Sequence, residues 1–417
     1  MNTPRVAIVH ERFTEYGGSE AVIDEFTRTW PGAPVFAPIV DPAAHPVPAG
    51  ALPARHDTAP GGADRPTARH TEPGGLDWST VRDSWLGAAY RRTGRRSHAP
   101  LLPFAPRVLR RLELGDPDAV VVSHHAFATQ AALATTAPVI AYVHSPARWA
   151  WDAEFRRREA GGPLGAAALT ALGLLARRGE LRAAPRLAQV VANSTAVAER
   201  VRDWWGLPAS VVHPPVRVDR FTCDPAAERA DFLLFAGRLV PYKRADLAIR
   251  IAQRTGRRLV IVGDGRDRAY LESIAGQETE FLGAAPDHVL VAMYQRCAAL
   301  LMPGIEDFGI VPVEAMACGA PVLAVGAGGA LDTVVPGVTG AHVPPGSDEE
   351  VVAALAEVVD GFAPTALDPA RIRAHAESFA PARFRSAMAD VVDRTLRGTD
   401  GAPESRSLRP DDGVVTA

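Results

Sequence analysis

The sequence predicts an α/β protein of two domains, each a parallel sheet flanked by helices, and three observations carry that prediction. The chain has 417 residues, which exceeds one compact core of ordinary size and suits two domains of about 150 to 200 residues. Short apolar runs that read as strands buried on both faces alternate with helical stretches, most plainly beyond residue 232, as right-handed crossovers in a parallel sheet require. Residues 211–216 (VVHPPV) break regular structure with two prolines and divide the alternation into halves. The expected layout is a domain over 1–215, a second over 216–380, a helix over 381–397 turning back toward the first, and a polar disordered tail over 398–417.

Composition narrows the class. Hydrophobic residues make up 47%, mean hydropathy is −0.01, and no apolar run approaches the roughly 20 residues of a membrane-spanning helix. Residues 1–10 (MNTPRVAIVH) enter a strand without a charged leader and cleavable apolar region, which implies a cytoplasmic location. Cys223, Cys297 and Cys318 lack metal-ligand spacing and read as reduced thiols packed as small apolar groups. The net charge of −3 is unevenly spread: residues 1–215 hold 24 arginines against 20 acidic residues. The excess sits in Arg91, Arg92, Arg95, Arg96, Arg107, Arg110 and Arg111, either a solvated helix face or a surface for an anionic acceptor or membrane. Of 45 basic residues a single one, Lys243, is lysine. A chain so biased toward arginine keeps a compact ammonium where a planar fork is wrongly shaped.

Taken in order, residues 6–10 form a strand, 11–18 a loop and 19–30 a helix. Gly17 and Gly18 at the helix entrance serve either a tight turn or close backbone approach to a ligand. Residues 34–40 form a second strand, and 41–78, rich in Pro, Gly, Ala and His without period, an irregular insertion whose His45, His56 and His70 carry no chemistry. Residues 79–92 read as a basic amphipathic helix. The strands at 119–123 and 139–144 end in SHHAF and HSPARWAWD, loops that open where the ligand crevice of a parallel sheet lies. His144 in the second loop either bonds backbone or donates to a phosphate or hydroxyl; Trp149, Trp151 and Phe155 either pack or form a sugar-stacking wall. A helix over 163–182, a strand over 189–192 and a helix over 195–205 capped by Ser194 complete the half.

In the second half, strands FLLFAG, RLVIVG, EFLG, ALLMP and PVLAV alternate with helices from Ala245, Arg268, Asp287 and Ile310. Residues 303–319 (PGIEDFGIVPVEAMACG) are the chemical centre. Residues 303–308 form a loop and 310–318 a helix, with Pro312 in its first turn and Gly319 ending it. Such a helix start can present the amides of Gly309, Ile310 and Val311 to a phosphate. Glu306 overhangs that position from the loop. Glu314 either meets ligand hydroxyls or complements the helix dipole.

The string EDFGIVPVEAMACGAPVLA closely resembles the Glu-x7-Glu signature of family 4 retaining glycosyltransferases of the GT-B type. The resemblance continues through GRLVPYKR (237–244), VGDG (262–265), FLG (281–283) and Thr339-Gly340, and is weaker in the first half. It implies a GT-B architecture: two facing Rossmann-like domains with an inter-domain cleft. It also implies transfer of a sugar, with retention, from a nucleotide diphosphate donor to a hydroxyl, without cofactor or metal. Arg238 and Lys243 match the family's basic pair on the diphosphate, Glu306 its sugar-positioning group and Glu314 its ribose ligand. Phe281, Leu282 and Gly283 border the base; Gly237, Asp264, Asp307 and Phe308 belong to the same donor site; His144 lies beside the transferred sugar. The wording is most similar to bacterial mannosyltransferases of polysaccharide assembly using GDP-mannose, with UDP- and dTDP-sugars as alternatives. A glycan, polyprenyl-linked or small-molecule acceptor follows, and nucleic acid does not. An epimerase or hydrolase on this fold needs acid/base carboxylates in the first half, where Glu11, Glu15 and Asp152 are the candidates.

Overall fold

The computed structural model describes residues 3–44, 76–95, 97–160, 162–224, 226–363 and 365–399. Most of the expected insertion at 41–78, with His45, His56 and His70, lies outside these residues, as do Arg96 and the expected tail beyond residue 399. The first domain is a seven-stranded parallel sheet. In chain order its strands are β1 (Val6–His10), β2 (Val35–Phe36), β3 (Val81–Arg82), β4 (Ala119–His124), β5 (Val139–Val143), β6 (Gln189–Ala192) and β7 (Ser210–Val211), arranged β3-β2-β1-β4-β5-β6-β7. The second domain is a six-stranded parallel sheet of β8 (Phe232–Ala236), β9 (Arg258–Val262), β10 (Thr279–Gly283), β11 (Ala299–Met302), β12 (Val322–Val325) and β13 (Gly340–Val343), in the order β10-β9-β8-β11-β12-β13.

Central strands β1, β4, β5 and β8 are buried along their whole length, which explains their unbroken apolar runs. Edge strand β10 (TEFLG) alternates instead: Phe281 packs on the core between sheet and helices, while Leu282 is exposed. The helix expected over 79–92 is shorter. Residues 81 and 82 extend the sheet as β3, and the helix is Trp85–Arg92, started by Ser84, whose hydroxyl accepts from the Leu86 N–H. A β-branched Val81 beside Val35 favours the strand over a further helical turn. Likewise β2 is only two residues long, not the seven expected at 34–40. The helix Pro369–Ala376 escaped the sequence reading, its mixed composition giving no apolar period.

Helix α1 (Gly18–Thr29) and the C-terminal helix Pro381–Thr399 cover one face of the first sheet. Phe384, Met388, Val391 and Val392 join Phe26, Val22 and Tyr142 in a single apolar cluster, with the Phe26 and Phe384 rings stacked at 5.5 Å and Arg385 paired to Glu25. The chain therefore crosses between domains twice, and the crossings touch: the Val216 N–H donates to the Phe379 carbonyl at 2.9 Å. Cys297 and Cys318 are buried in the second core, where desolvation pushes both thiols up to about 12. On the first domain Arg107, Arg110, Arg111 and Arg182 line a concavity of about 460 Å³. Among the described residues no helix is long and apolar enough to cross a membrane.

Candidate functional site

Because each sheet is wholly parallel, its strands' carboxyl ends form one edge, and most predicted site residues of both halves follow those ends, whereas Phe281 and Leu282 lie within β10 itself. In the second domain the loops after β8, β9 and β11 are drawn together by glycine. Gly237 donates to the Val262 carbonyl and Leu239 to that of Asp264, both at 2.9 Å. Gly263 has φ +139°, and a Cβ there would lie 1.8 Å from the Gly237 oxygen. A Cβ on Gly304 would meet the Lys243 and Tyr242 carbonyls at 2.6 and 2.8 Å. That contact seats the Glu306 loop against the 3₁₀ turn Pro241–Lys243. From the other side, Gly329 donates to the Glu306 carbonyl at 2.9 Å, with its Cα too near the Phe308 carbonyl for any side chain.

These contacts bring Lys243 and Glu306 together: Nζ donates to Oε1 at 2.5 Å, with the side chains 15% and 16% exposed. Burial pulls the ammonium down, but the facing Glu306 carboxylate and Tyr242 outweigh it and hold the pKa above its ordinary value. Arg238 projects into the open from the preceding loop, 3.5 Å from the Tyr242 hydroxyl and 3.7 Å from the Glu15 carboxylate of the first domain. Arg244, in the left-handed region at φ +59°, is committed to Asp246 and Asp348 and so is structural.

The helix following the Glu306 loop, Ile310–Ala317, begins after Gly309 at φ +90°. Its first residue faces the first domain: a Cβ on Gly18 would fall 2.5 Å from Ile310 Cδ1. The close neighbour of Gly18 is thus a side chain at the opposing helix start. Glu314 is half-buried beside the Tyr294 hydroxyl, whose ionisation burial and this carboxylate both oppose.

Two expected donor contacts are corrected. Phe308 is 3% exposed, stacks on His213 and meets Phe379 edge-on in the second core, so its ring belongs to packing. Asp307 turns its carboxylate across the cleft to Arg148, at 3.4 Å, and to Arg200 of the first domain. Its carbonyl accepts from Ser194 Oγ at 2.5 Å, so the Ser194 hydroxyl, besides capping its helix, ties the domains. Further bridges run from Thr195 to Asp332 (2.6 and 2.9 Å) and from Arg266 to Glu159 (2.6 Å). Arg148 and Arg200 drew no attention in the sequence because isolated arginines in an arginine-rich chain carry no pattern.

On the first-domain side His144 is buried just past β5, its ring stacked on His125 at 4.4 Å. Its Nε2 lies 2.9 Å from Ser123 Oγ, which is 3.1 Å from His10 Nδ1, and His10 Nε2 is 3.2 Å from Glu20 Oε1. Burial, with His10 nearby, pushes His144 down to about 3. Burial raises Glu20, but hydrogen bonds from His10 and Ser19 carry it down to about 2. Strand register explains the chain: His10 and Ser123 are partners across β1 and β4, and Tyr142, two residues before His144, is opposite Ser123 on β5. His10, Ser123 and Glu20 went unread because each looks ordinary until the register is known.

Among the other first-half carboxylates, Glu15 faces Arg12 and Arg238, whereas Glu11, Asp152 and Glu180 hold backbone groups. Glu11 is 4% exposed and accepts from the amides of Phe127 (2.9 Å) and Ala128 (3.0 Å), capping a 3₁₀ helix. Asp152 caps the helix Ala153–Glu159. Glu180, fully buried, accepts from Ala147 N (2.7 Å) and from the indoles of Trp151 (2.5 Å) and Trp205 (3.1 Å), and lies 3.1 Å from His124 Nε2. Trp149 packs in the core and Trp151 stacks on Trp204 at 5.6 Å, which settles both as packing groups.

Residues 224–366 match the family described as Glycosyl transferases group 1, and residues 59–220 match Glycosyltransferase Family 4. The chain is 35% identical over 170 residues to a D-inositol 3-phosphate glycosyltransferase of Mycobacteroides abscessus, covering 36% of this chain and 38% of that one. It is 32% identical over 209 residues to the protein of that name from Mycolicibacterium paratuberculosis, 45% and 47% of the two chains. It thus spans less than half the length of these curated relatives. Among solved structures, HepE of Anabaena in complex with UDP and glucose superposes with a TM-score of 0.63 at 17% identity, over 94% of this chain and 100% of that one. Sucrose-phosphate synthase of Thermosynechococcus elongatus does so with 0.61 at 14%, again over 94% and 100%. The fold is the GT-B fold.

Proposed function

With glycosyltransferase families matched on both sides of a GT-B cleft, we propose that the chain is a retaining glycosyltransferase that moves a hexose from a nucleotide diphosphate sugar to a hydroxyl. The observation that carries this reading is the Lys243–Glu306 pair, seated by close glycine contacts at the carboxyl edge of the second sheet, beside the start of the helix Ile310–Ala317, which has no side-chain cap among the described residues. A diphosphate at that helix start meets backbone amides, the Lys243 ammonium and the exposed Arg238 guanidinium. Charge developing on the leaving phosphate is then met by groups already in place, the most effective form of electrostatic catalysis. These cations supply what a metal would, so we assign none. Glu306, paired with Lys243, orients the sugar hydroxyls; Glu314 takes the ribose; His144 closes the site from the first domain. The acceptor hydroxyl attacks from the face the phosphate leaves, and the departing phosphate helps to remove its proton.

For the donor, GDP-mannose from the wording of the sequence and UDP-sugars from the UDP held by HepE are the two classes to compare. The relatives named for D-inositol 3-phosphate favour a small phosphorylated polyol among the acceptor classes. Hydrolysis or epimerisation by first-half carboxylates is disfavoured for Glu11 and Asp152, which are bound to backbone amides; Glu15, facing Arg12 and Arg238, is left as its candidate. A thermal-shift screen of nucleotide diphosphate sugars, followed by transfer assays, tests the reading: a donor at 100 times its Kd stabilises by about 2.7 kcal/mol. No shift with any sugar nucleotide would overturn it. Tight binding without transfer to any acceptor would reduce the chain to a binding subunit.

A further inference from the structure

The hydrogen-bonded chain beneath His144 constrains what that histidine can offer to a ligand. Ser123 Oγ lies within hydrogen-bond distance of both His144 Nε2 (2.9 Å) and His10 Nδ1 (3.1 Å). One hydroxyl has one proton, so it donates to one ring and must accept from the other. Glu20 breaks the symmetry. Its Oε2 already accepts from the Gly17 amide and the Ser19 hydroxyl, both at 2.9 Å, and as a carboxylate its Oε1 can only accept from His10 Nε2. A neutral His10 then has its proton on Nε2 and a bare Nδ1, which takes the Ser123 proton. Ser123 Oγ is left to accept from His144, whose single proton must sit on Nε2. Among the described residues the hydrogen bond of the His144 ring is made by Nε2, and none is made by Nδ1.

We propose that Glu20, His10 and Ser123 are positioning residues that lock His144 in the Nε2–H tautomer, so that its Nδ1 presents a lone pair to a sugar hydroxyl in the cleft. The role of the hydroxyl rests on the proposed glycosyltransferase activity; the tautomer does not. Anchoring extends to α1, since the same Glu20 carboxylate binds the Gly17 amide at the helix start. The relay thereby ties the orientation of one imidazole to the position of the Gly17–Gly18 turn that faces Ile310. A histidine held in one tautomer discriminates between a hydroxyl, which can donate to it, and a carbonyl or phosphate oxygen, which cannot.

Nitrogen-15 labelling of histidine in the full chain, with two-bond proton–nitrogen correlation spectra at neutral pH, tests the assignment directly. Each ring is identified by the loss of its signals in a single His→Gln variant. The expected result is a neutral His144 protonated at Nε2, and the same for His10. A His144 protonated at Nδ1, or a doubly protonated His10, overturns the proposal. Ser123→Ala should leave His144 as a mixture of tautomers and lower kcat about tenfold, with donor KM within about twofold. Ser123→Thr, which keeps the hydroxyl, should restore both readouts. Unchanged His144 shifts and kcat in Ser123→Ala would equally overturn the relay. Because the spectra need no substrate, a wild type that transfers no sugar would count against the enzymatic reading and leave the tautomer assignment standing.

Discussion

Replacing Asp307 by Asn tests whether the domains are latched by the residue next to Glu306. Asn keeps the shape and the carbonyl that receives the Ser194 hydroxyl, but removes the charge facing Arg148 and Arg200. The three side chains are 29%, 18% and 17% exposed, so solvent screens the contacts only in part. Loss of a charged hydrogen bond costs about 1.5–3 kcal/mol. The cost is compounded here because Arg148, already lowered by burial and by Arg200, would face a second guanidinium without the anion between them. The bridged arrangement should therefore lose about tenfold to a hundredfold of its population relative to an open one. Small-angle scattering of the ligand-free variant should show a larger radius of gyration, and calorimetry a weaker nucleotide diphosphate. The loss of affinity is bounded by the shift in population. In a double-mutant cycle, Arg200→Gln should be nearly silent in the Asp307→Asn background. Unchanged scattering and affinity in both single variants, or strict additivity in the pair, would refute the latch.

Lys243, the sole lysine, should react slowly with an amine-specific label even without donor, since it is paired with Glu306 and its pKa is raised. Glu306→Gln should speed the reaction and saturating nucleotide diphosphate should slow it, and equal rates in all three states would remove Lys243 from the site. Glu306→Gln should depress turnover more than binding of the bare nucleotide, whereas Glu314→Gln should weaken that binding by about 1.5–3 kcal/mol; calorimetry that finds the reverse exchanges their roles. Gly18→Val should lower donor turnover with little change in thermal stability, because the new side chain meets Ile310 across the cleft rather than a domain core; full activity would show that the two helix starts separate during the cycle. Acid should unfold the protein early. Glu20 is depressed from 4.5 to about 2 and His144 from 6.5 to about 3, so the unfolded chain binds more protons than the native one throughout these windows. Stability present at neutral pH should fall as pH drops below 6.5 through His144 and further below 4.5 through Glu20, by about 3 kcal/mol from Glu20 alone. Denaturant titrations that are flat between pH 6.5 and 4 would contradict the His144 shift.

What the sequence made legible follows from how each feature is encoded. The parallel sheets were readable because strands buried on both faces need unbroken apolar runs, as in β1 and β8, and because helices alternate with them. Edge elements were not: β2 and β3 hold two residues each, too few for any period. Local motifs placed Lys243 and Glu306 in one site but not in contact, because the glycines that pair them, Gly304 and Gly329, act through residues distant in the chain or across a loop. The family resemblance implies donor-site roles for Phe308 and Asp307 from sequence position alone. Successive residues in an irregular loop point in different directions, and these point into the core and across the cleft. The relay under His144 joins four elements and is visible only once β1, β4 and β5 are in register.

The two crossings of the chain between domains have a mechanical consequence. A single linker lets two bodies twist and swing about any direction; two linkers fixed to one another permit rotation only about the line that joins them. Val216 and Phe379 supply that line, held by one backbone hydrogen bond. The helix that follows Phe379 is glued along α1 by Phe384, Met388 and Val391, so the second linker is anchored rather than slack. If these crossings hold as the cleft opens, the expected motion is a hinge about them, and the pairs Asp307–Arg200, Thr195–Asp332 and Arg266–Glu159 then part with one coordinate, the opening angle.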